Sequence, residues 1–253
     1  MVVPLPSPSA AQPGSESPWR RLYLVAGWCS IAFVALLLTA LALDLIAPPP
    51  VEGGAETLEF IAAHKVVYIA EQLLWVLPNI LTVVTFLGLA AALVPVDRGL
   101  ALLGGVIGGL PWALFLAIPT TSRGSLTLVF LSDRYLVASP DERSVYAVAA
   151  EAIVAENNTP SAAGMLSAFG ILVVSLIMTR SDLPRSLAWI GVVTGALGIA
   201  SEALRYAVPA FYWTYGILLW VWFIGAGVTL LRHARRAERQ RRTRAGRSPE
   251  WSR

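Results

Sequence analysis

The residues best suited to chemistry are polar side chains set inside long apolar runs. Between residues 64 and 82, His64, Tyr68, Glu71, Trp75 and Thr82 recur at spacings of four, three, four and seven, which puts them on one face of a helix. Gln72 and Asn79, seven apart, share an adjacent face. Glu202 and Arg205 stand one helical turn apart near the end of a later run, where they can pair. Ionisable groups are costly in hydrocarbon, so those retained there mark ligand or ion sites or compensate one another. His64, Glu71, Asn79, Glu202 and Arg205 are therefore the candidate ligand-binding residues. On a functional reading they line a polar pocket opening to the outer leaflet, for a small molecule, an ion or a lipid headgroup, with Arg205 available to compensate Glu71 across the bundle. On a structural reading long side chains reach from helix ends to the interface, and Glu71 lies in that interface. His64 with Glu71 on one face, or the carboxylates of the 120–160 segment, also have the makings of an acid–base pair.

Other chemistries lack material. There is no phosphate-binding loop, GxGxxG, HExxH, CxxC or GxSxG. His64, His233 and Cys29 are the only imidazoles and thiol, too few for a multi-ligand metal site, and a lone cysteine forms no intrachain disulfide. No catalytic residue, metal or cofactor is assigned.

Positioning these side chains requires helices that cross a membrane. The 253 residues are 56% hydrophobic and 14% charged, against about 25% charged in soluble domains. Several separate runs approach the roughly 20 residues that span a bilayer core. The fold class is an all-α polytopic bundle, with a tail over 1–21, a membrane domain over 22–232 and a basic tail over 233–253. Six spans are expected near 22–46, 66–94, 99–119, 161–179, 186–206 and 211–231. Pro48-Pro49-Pro50 ends the first, and Pro78 and Pro111 should kink the second and third. Residues 120–160 are polar and too long for a turn. Ser139-Pro140-Asp141-Glu142 is a helix start with an N-cap serine and a capping-box glutamate. The helix it opens, 140–156, sets Val145, Val148, Ala149, Ala152 and Ile153 on one side, an amphipathic helix lying on the membrane or over the bundle. Gly104 with Gly108, Gly105 with Gly109, and Gly191 with Gly195 are small residues four apart. Such pairs bring helices close, within the monomer or in a homo-oligomer.

Charge sets the orientation. With cytoplasmic ends, inside segments hold Arg20, Arg21, Arg98, Arg180, Arg185, Arg232 and eight tail arginines, 14 of the 19 basic residues. That is the positive-inside asymmetry of a bacterial plasma membrane protein. The tail offers only Trp251 for base stacking, so it is read as a topology anchor touching anionic membrane lipid, not nucleic acid.

Leu131-Ser132-Asp133-Arg134-Tyr135, Ala149-Ala150-Glu151-Ala152 and Met178-Thr179-Arg180-Ser181-Asp182-Leu183-Pro184-Arg185 with Trp189-Ile190-Gly191 carry a family resemblance. So do Trp222-Phe223-Ile224-Gly225-Ala226-Gly227 and Leu230-Leu231-Arg232. Together they resemble the bacterial membrane family described as domain of unknown function 4386, over most of 20–233. The resemblance implies a compact six-helix membrane domain and carries no activity, substrate or site residue with it. Three functions are consistent with these observations. The first is a non-enzymatic binder of a lipid or apolar small molecule, acting as a sensor or complex subunit. The second is a small secondary transporter, and the third an intramembrane enzyme.

Overall fold

A computed structural model of the chain describes residues 19–245, apart from 51, 118, 119, 122, 123 and 206. Among these residues there are nine helices: α1 (Arg20–Ile46), α2 (Gly54–Val76), α3 (Asn79–Leu93), α4 (Arg98–Ala117), α5 (Leu126–Val137), α6 (Pro140–Asn158), α7 (Ala162–Met178), α8 (Arg185–Ala203) and α9 (Pro209–Ala245). A two-stranded hairpin, β1 (Thr120–Thr121) with β2 (Gly124–Ser125), follows α4. Six stretches are long and apolar enough to cross a membrane, α2 with α3 forming one and α6 with α7 another. The chain is a multi-pass, all-α membrane bundle.

Six helices close into a ring in the order α1, α3, α4, α7, α8, α9, each touching the next and α9 returning to α1. Its outer surface is apolar: Leu38, Leu87, Leu102, Val106, Val193, Ile217 and Val221 are exposed, as lipid-facing side chains should be. Its centre is a plug of rings. Phe33 meets Phe223 at 4.7 Å and Trp112 at 5.4 Å between centroids, and Trp222 meets Phe223 at 5.0 Å. Phe86 closes the plug against Trp222 at 5.9 Å. Because lipid tails are as apolar as leucine, such a ring coheres by close packing and hydrogen bonds. Ser30 accordingly donates to Phe223 O at 2.6 Å, joining α1 to α9.

The glycine pairs are consumed by this packing. A Cβ on Gly108 would run into the Phe86 ring, and one on Gly170 would come within 2.6 Å of Gly108 Cα. Gly104 faces Ile177 and Val174, Gly195 approaches the α7 backbone at Leu172, and Gly191 admits Ser175 and Trp222. All four glycines considered for a homo-oligomer, Gly104, Gly108, Gly191 and Gly195, are buried inside the monomer.

At the end of the ring opposite the start of α1 and the end of α9 stands a second unit, the cap, made of the first half of α2 with α5 and α6. Its small core joins Leu58, Ile61 and Tyr68 of α2 to Leu128 and Tyr135 of α5 and Ala150 and Val154 of α6. Polar contacts complete it. Ser132 donates to Leu58 O at 2.7 Å, Tyr135 to Glu59 at 3.2 Å, and Lys65 pairs with Asp133 at 2.6 Å. The Tyr135 hydroxyl is pushed above its ordinary range by desolvation and then by the Glu59 carboxylate.

The sequence reading of 120–160 needs two corrections. A second helix, α5, precedes the expected one, capped by Ser125, whose hydroxyl accepts from Thr127 N at 3.2 Å. The expected helix starts at Pro140 with its capping box intact, but it turns a different face inward. Tyr146, Ala150 and Val154 face α2 and α5 and Asn157 lines the cavity, whereas Val145 and Val148 are exposed. An alanine-rich helix has no single dominant apolar stripe, and the partner selects the face. Gly54, lacking a Cβ, lets the α6 backbone at Ala147 settle on the start of α2.

Candidate functional site

Ring and cap meet where two long helical stretches break. The first break lies between α2 and α3 at Pro78. Proline has no N–H, and past it Ile80 N reaches Leu77 O and Leu81 N reaches Pro78 O, so the carbonyls of Trp75 and Val76 need other donors. The Asn79 amide supplies them, donating to Trp75 O at 3.0 Å and to Val76 O at 2.8 Å.

The second break is the joint Thr159-Pro160-Ser161 between α6 and α7. It leaves the carbonyl end of one helix and the amide end of the next close together, with partial negative and positive charge respectively. The end of α8 supplies matching ions. Arg205 donates to Thr159 O at 3.0 Å, and Glu202 accepts from Ser161 N at 3.1 Å. The two ions pair with each other at 3.5 Å, with side chains 14% and 6% exposed. Gly164 leaves room for the carboxylate, since a Cβ there would lie 2.7 Å from Glu202 Oε1. The guanidinium also lies over the Tyr212 ring, 4.7 Å from its centroid.

Between the two breaks is a cavity of about 310 Å³. Leu37, Trp75, Val76, Trp112, Phe115 and Leu219 form its apolar wall. Asn79, Thr121, Ser167 and Tyr215 add polar groups, and Glu156, Thr159, Ser161, Glu202, Arg205 and Tyr212 form a polar side at the helix joint. Trp112 belongs both to this wall and to the aromatic plug. Phe33, Phe86 and Trp222 lie one to two turns further along the same helices from Leu37, Asn79 and Leu219. The cavity is thus blind toward the terminal end of the ring.

Of the five residues chosen from sequence, Asn79, Glu202 and Arg205 come together on this cavity. Glu71 stands behind it: 1% exposed, it accepts from the indole N–H of Trp75, a wall residue, at 3.1 Å. The carboxylate beside Arg205 is Glu202, on its own helix. His64 is elsewhere. It is exposed in the cap, at a non-helical point of α2 (φ −121°, ψ 25°), stacked on Phe60 at 4.6 Å. Seven residues of helix, about 10 Å of rise, separate it from the buried Glu71, so the structure assembles no acid–base pair from them.

Sequence reasoning did not single out Glu156, Thr159, Ser161 or Trp112. A legible signal did exist for the joint. Asn157-Asn158-Thr159-Pro160-Ser161 combines a helix stop, a proline and an N-cap serine, whose hydroxyl accepts from Gly164 N at 3.2 Å. Among the described residues no cluster of three or more metal-binding side chains occurs.

A family model described as Domain of unknown function (DUF4386) matches residues 21–231. No curated protein and no solved structure matches the chain.

Proposed function

We propose that this chain, which belongs to the DUF4386 domain-of-unknown-function family, is a membrane-embedded binding protein. It holds an apolar group with a polar end, part of a lipid or a small molecule, in the cavity between ring and cap. It acts as a sensor or as a subunit of a larger complex. The observation behind this reading is the cavity: a concave, mostly apolar site with a few placed polar groups is the usual form of a ligand site. Its 310 Å³ corresponds to about ten groups of water size at roughly 30 Å³ each. That suits one short chain or ring system rather than a whole two-chain lipid.

We read the protein in a bacterial cytoplasmic membrane with both termini inside and the cavity opening outward. The excess of arginine in the segments on the terminal side supports this orientation. Arg20 of α1 pairs with Glu238 of α9 at 2.9 Å. That contact binds the two ends where the basic tail would meet anionic lipid, each arginine contributing about 1 kcal/mol.

Transport is the second reading, favoured by the two broken helices flanking the cavity, a device of secondary transporters. The aromatic plug opposes it, since Phe33, Trp112, Trp222 and Phe223 pack ring against ring across the centre of the bundle. Native mass spectrometry of gently solubilised protein tests binding. A defined adduct is expected on the wild type and not on Leu219→Trp, which fills the cavity, with Phe115→Ala, which enlarges it, retaining or exchanging the adduct. No adduct on the wild type, or an adduct unaffected by Leu219→Trp, would remove the reading.

A further inference from the structure

We propose that the cavity selects an alkylammonium group, a quaternary or protonated amine carried on a short apolar body. The inference rests on the binding reading above and adds the sign of the ligand's charge.

Three charged side chains line the cavity: Glu156, Glu202 and Arg205. The positive one is already engaged by Thr159 O, by Glu202 and by the face of Tyr212. An anionic ligand would therefore compete with three existing contacts and lie beside two carboxylates. Glu202 in turn is held by Ser161 N and Arg205, which leaves Glu156 as the charge without an ion pair among the described residues. Its position is unfavourable on structural grounds. It sits in the last turn of α6, where the carbonyl end is negative and a cation would be stabilising. Arg205 answers the Thr159 carbonyl at this helix end but leaves the Glu156 carboxylate without an ion pair of its own among the described residues. A ligand cation would supply that pair.

The walls suit the same ligand. Trp75, Trp112, Phe115 and Tyr215 line the same cavity as Glu156, and the negative faces of aromatic rings attract ammonium groups. The apolar body then rests against Leu37 and Leu219. Alkylammonium groups occur as lipid headgroups and as free amines, and the chemistry is common to both.

The full chain in nanodiscs made of an uncharged glycolipid is titrated with octyltrimethylammonium, 1-octanol and octanoate, and binding is read by calorimetry. The ammonium is expected to bind about fivefold more tightly than octanol and at least tenfold more tightly than octanoate. Glu156→Gln should lose most of the advantage over octanol, about the factor one contact charge supplies in water. Octanol binding and thermal stability should stay the same. Octanoate binding as tightly as the ammonium, or Glu156→Gln keeping the preference, overturns the proposal. If octanol binds and charge has no effect, only the alkylammonium assignment fails; if none of the three binds, the binding reading fails with it. Repeating the titration in phosphatidylcholine nanodiscs identifies the source. A weaker apparent affinity there means the headgroup occupies the site, and an equal affinity means a free amine does.

Discussion

The ring and the cap are built on opposite terms. Among its described residues the ring has an apolar exterior, an interior of packed rings and small residues, and hydroxyls such as that of Ser30 bonded to neighbouring backbone. The cap has a core of seven buried apolar side chains and fastens α2 to α5 with Ser132, Tyr135 and the Lys65–Asp133 pair. Hydrocarbon makes every unsatisfied polar group costly and gives no hydrophobic drive, so shape must hold the ring. The cap has water available and a small core, so hydrogen bonds carry a larger share of its stability. The cavity lies where these regimes meet. There helices must break, and each break exposes backbone that a side chain has to satisfy.

The comparison breaks first in the ring. Trp222→Ala empties the centre of the plug, where Trp222 is fully buried. Destabilisation of about 3–5 kcal/mol is expected, read as a large fall in thermal midpoint in detergent; a loss below about 1 kcal/mol would mean shape is not what holds the ring. The joint should come next. Glu202→Ala leaves Arg205 and the amide end of α7 without their buried anion, at a cost of about 2 kcal/mol. The double variant with Arg205→Ala should cost less than the sum of the two single changes, a coupling that a thermodynamic cycle measures. Ser132→Ala should cost about 1 kcal/mol and act on the cap alone. Hydrogen exchange would rise in α2 and α5 and stay unchanged in α8. Lys65→Met, removing a half-exposed pair, should change stability by less than about 1 kcal/mol and only at low salt.

The smallest effect concerns pH. Tyr135 has a raised folded-state pKa, so its contribution is complete below the ordinary tyrosine value of 10.0 and is lost as pH rises through the higher folded value. Hydrogen exchange in the cap should accelerate above that value, and Tyr135→Phe should abolish this alkaline component.

Much of the ring was legible in the sequence because a membrane imposes a length and a composition that single runs reveal. Pro78 marked a break, and small-residue spacing marked close packing. What escaped was set by partners distant in sequence. Leu126–Val137 is rich in β-branched and aromatic residues, and its helical signal, Leu128, Ser132 and Tyr135, has meaning only against α2. The inward face of α6 was decided by Gly54, more than 90 residues earlier. At the site, ionisable residues within the apolar runs were conspicuous, which brought Glu202 and Arg205 into view. Glu71 was equally conspicuous, but its side chain turns to Trp75 behind the wall. Glu156 lay within a segment read only as polar, where a further carboxylate is not conspicuous.

Cysteine accessibility tests the central claim, a blind cavity reached from the cap side. In a Cys29→Ser background, Leu219→Cys places a thiol on the cavity wall below the helix joint. A small membrane-impermeant thiol reagent added on the cap side is expected to modify it, and the same reagent on the side of the termini is not. Modification from the terminal side would contradict the account, because it requires a path through the aromatic plug.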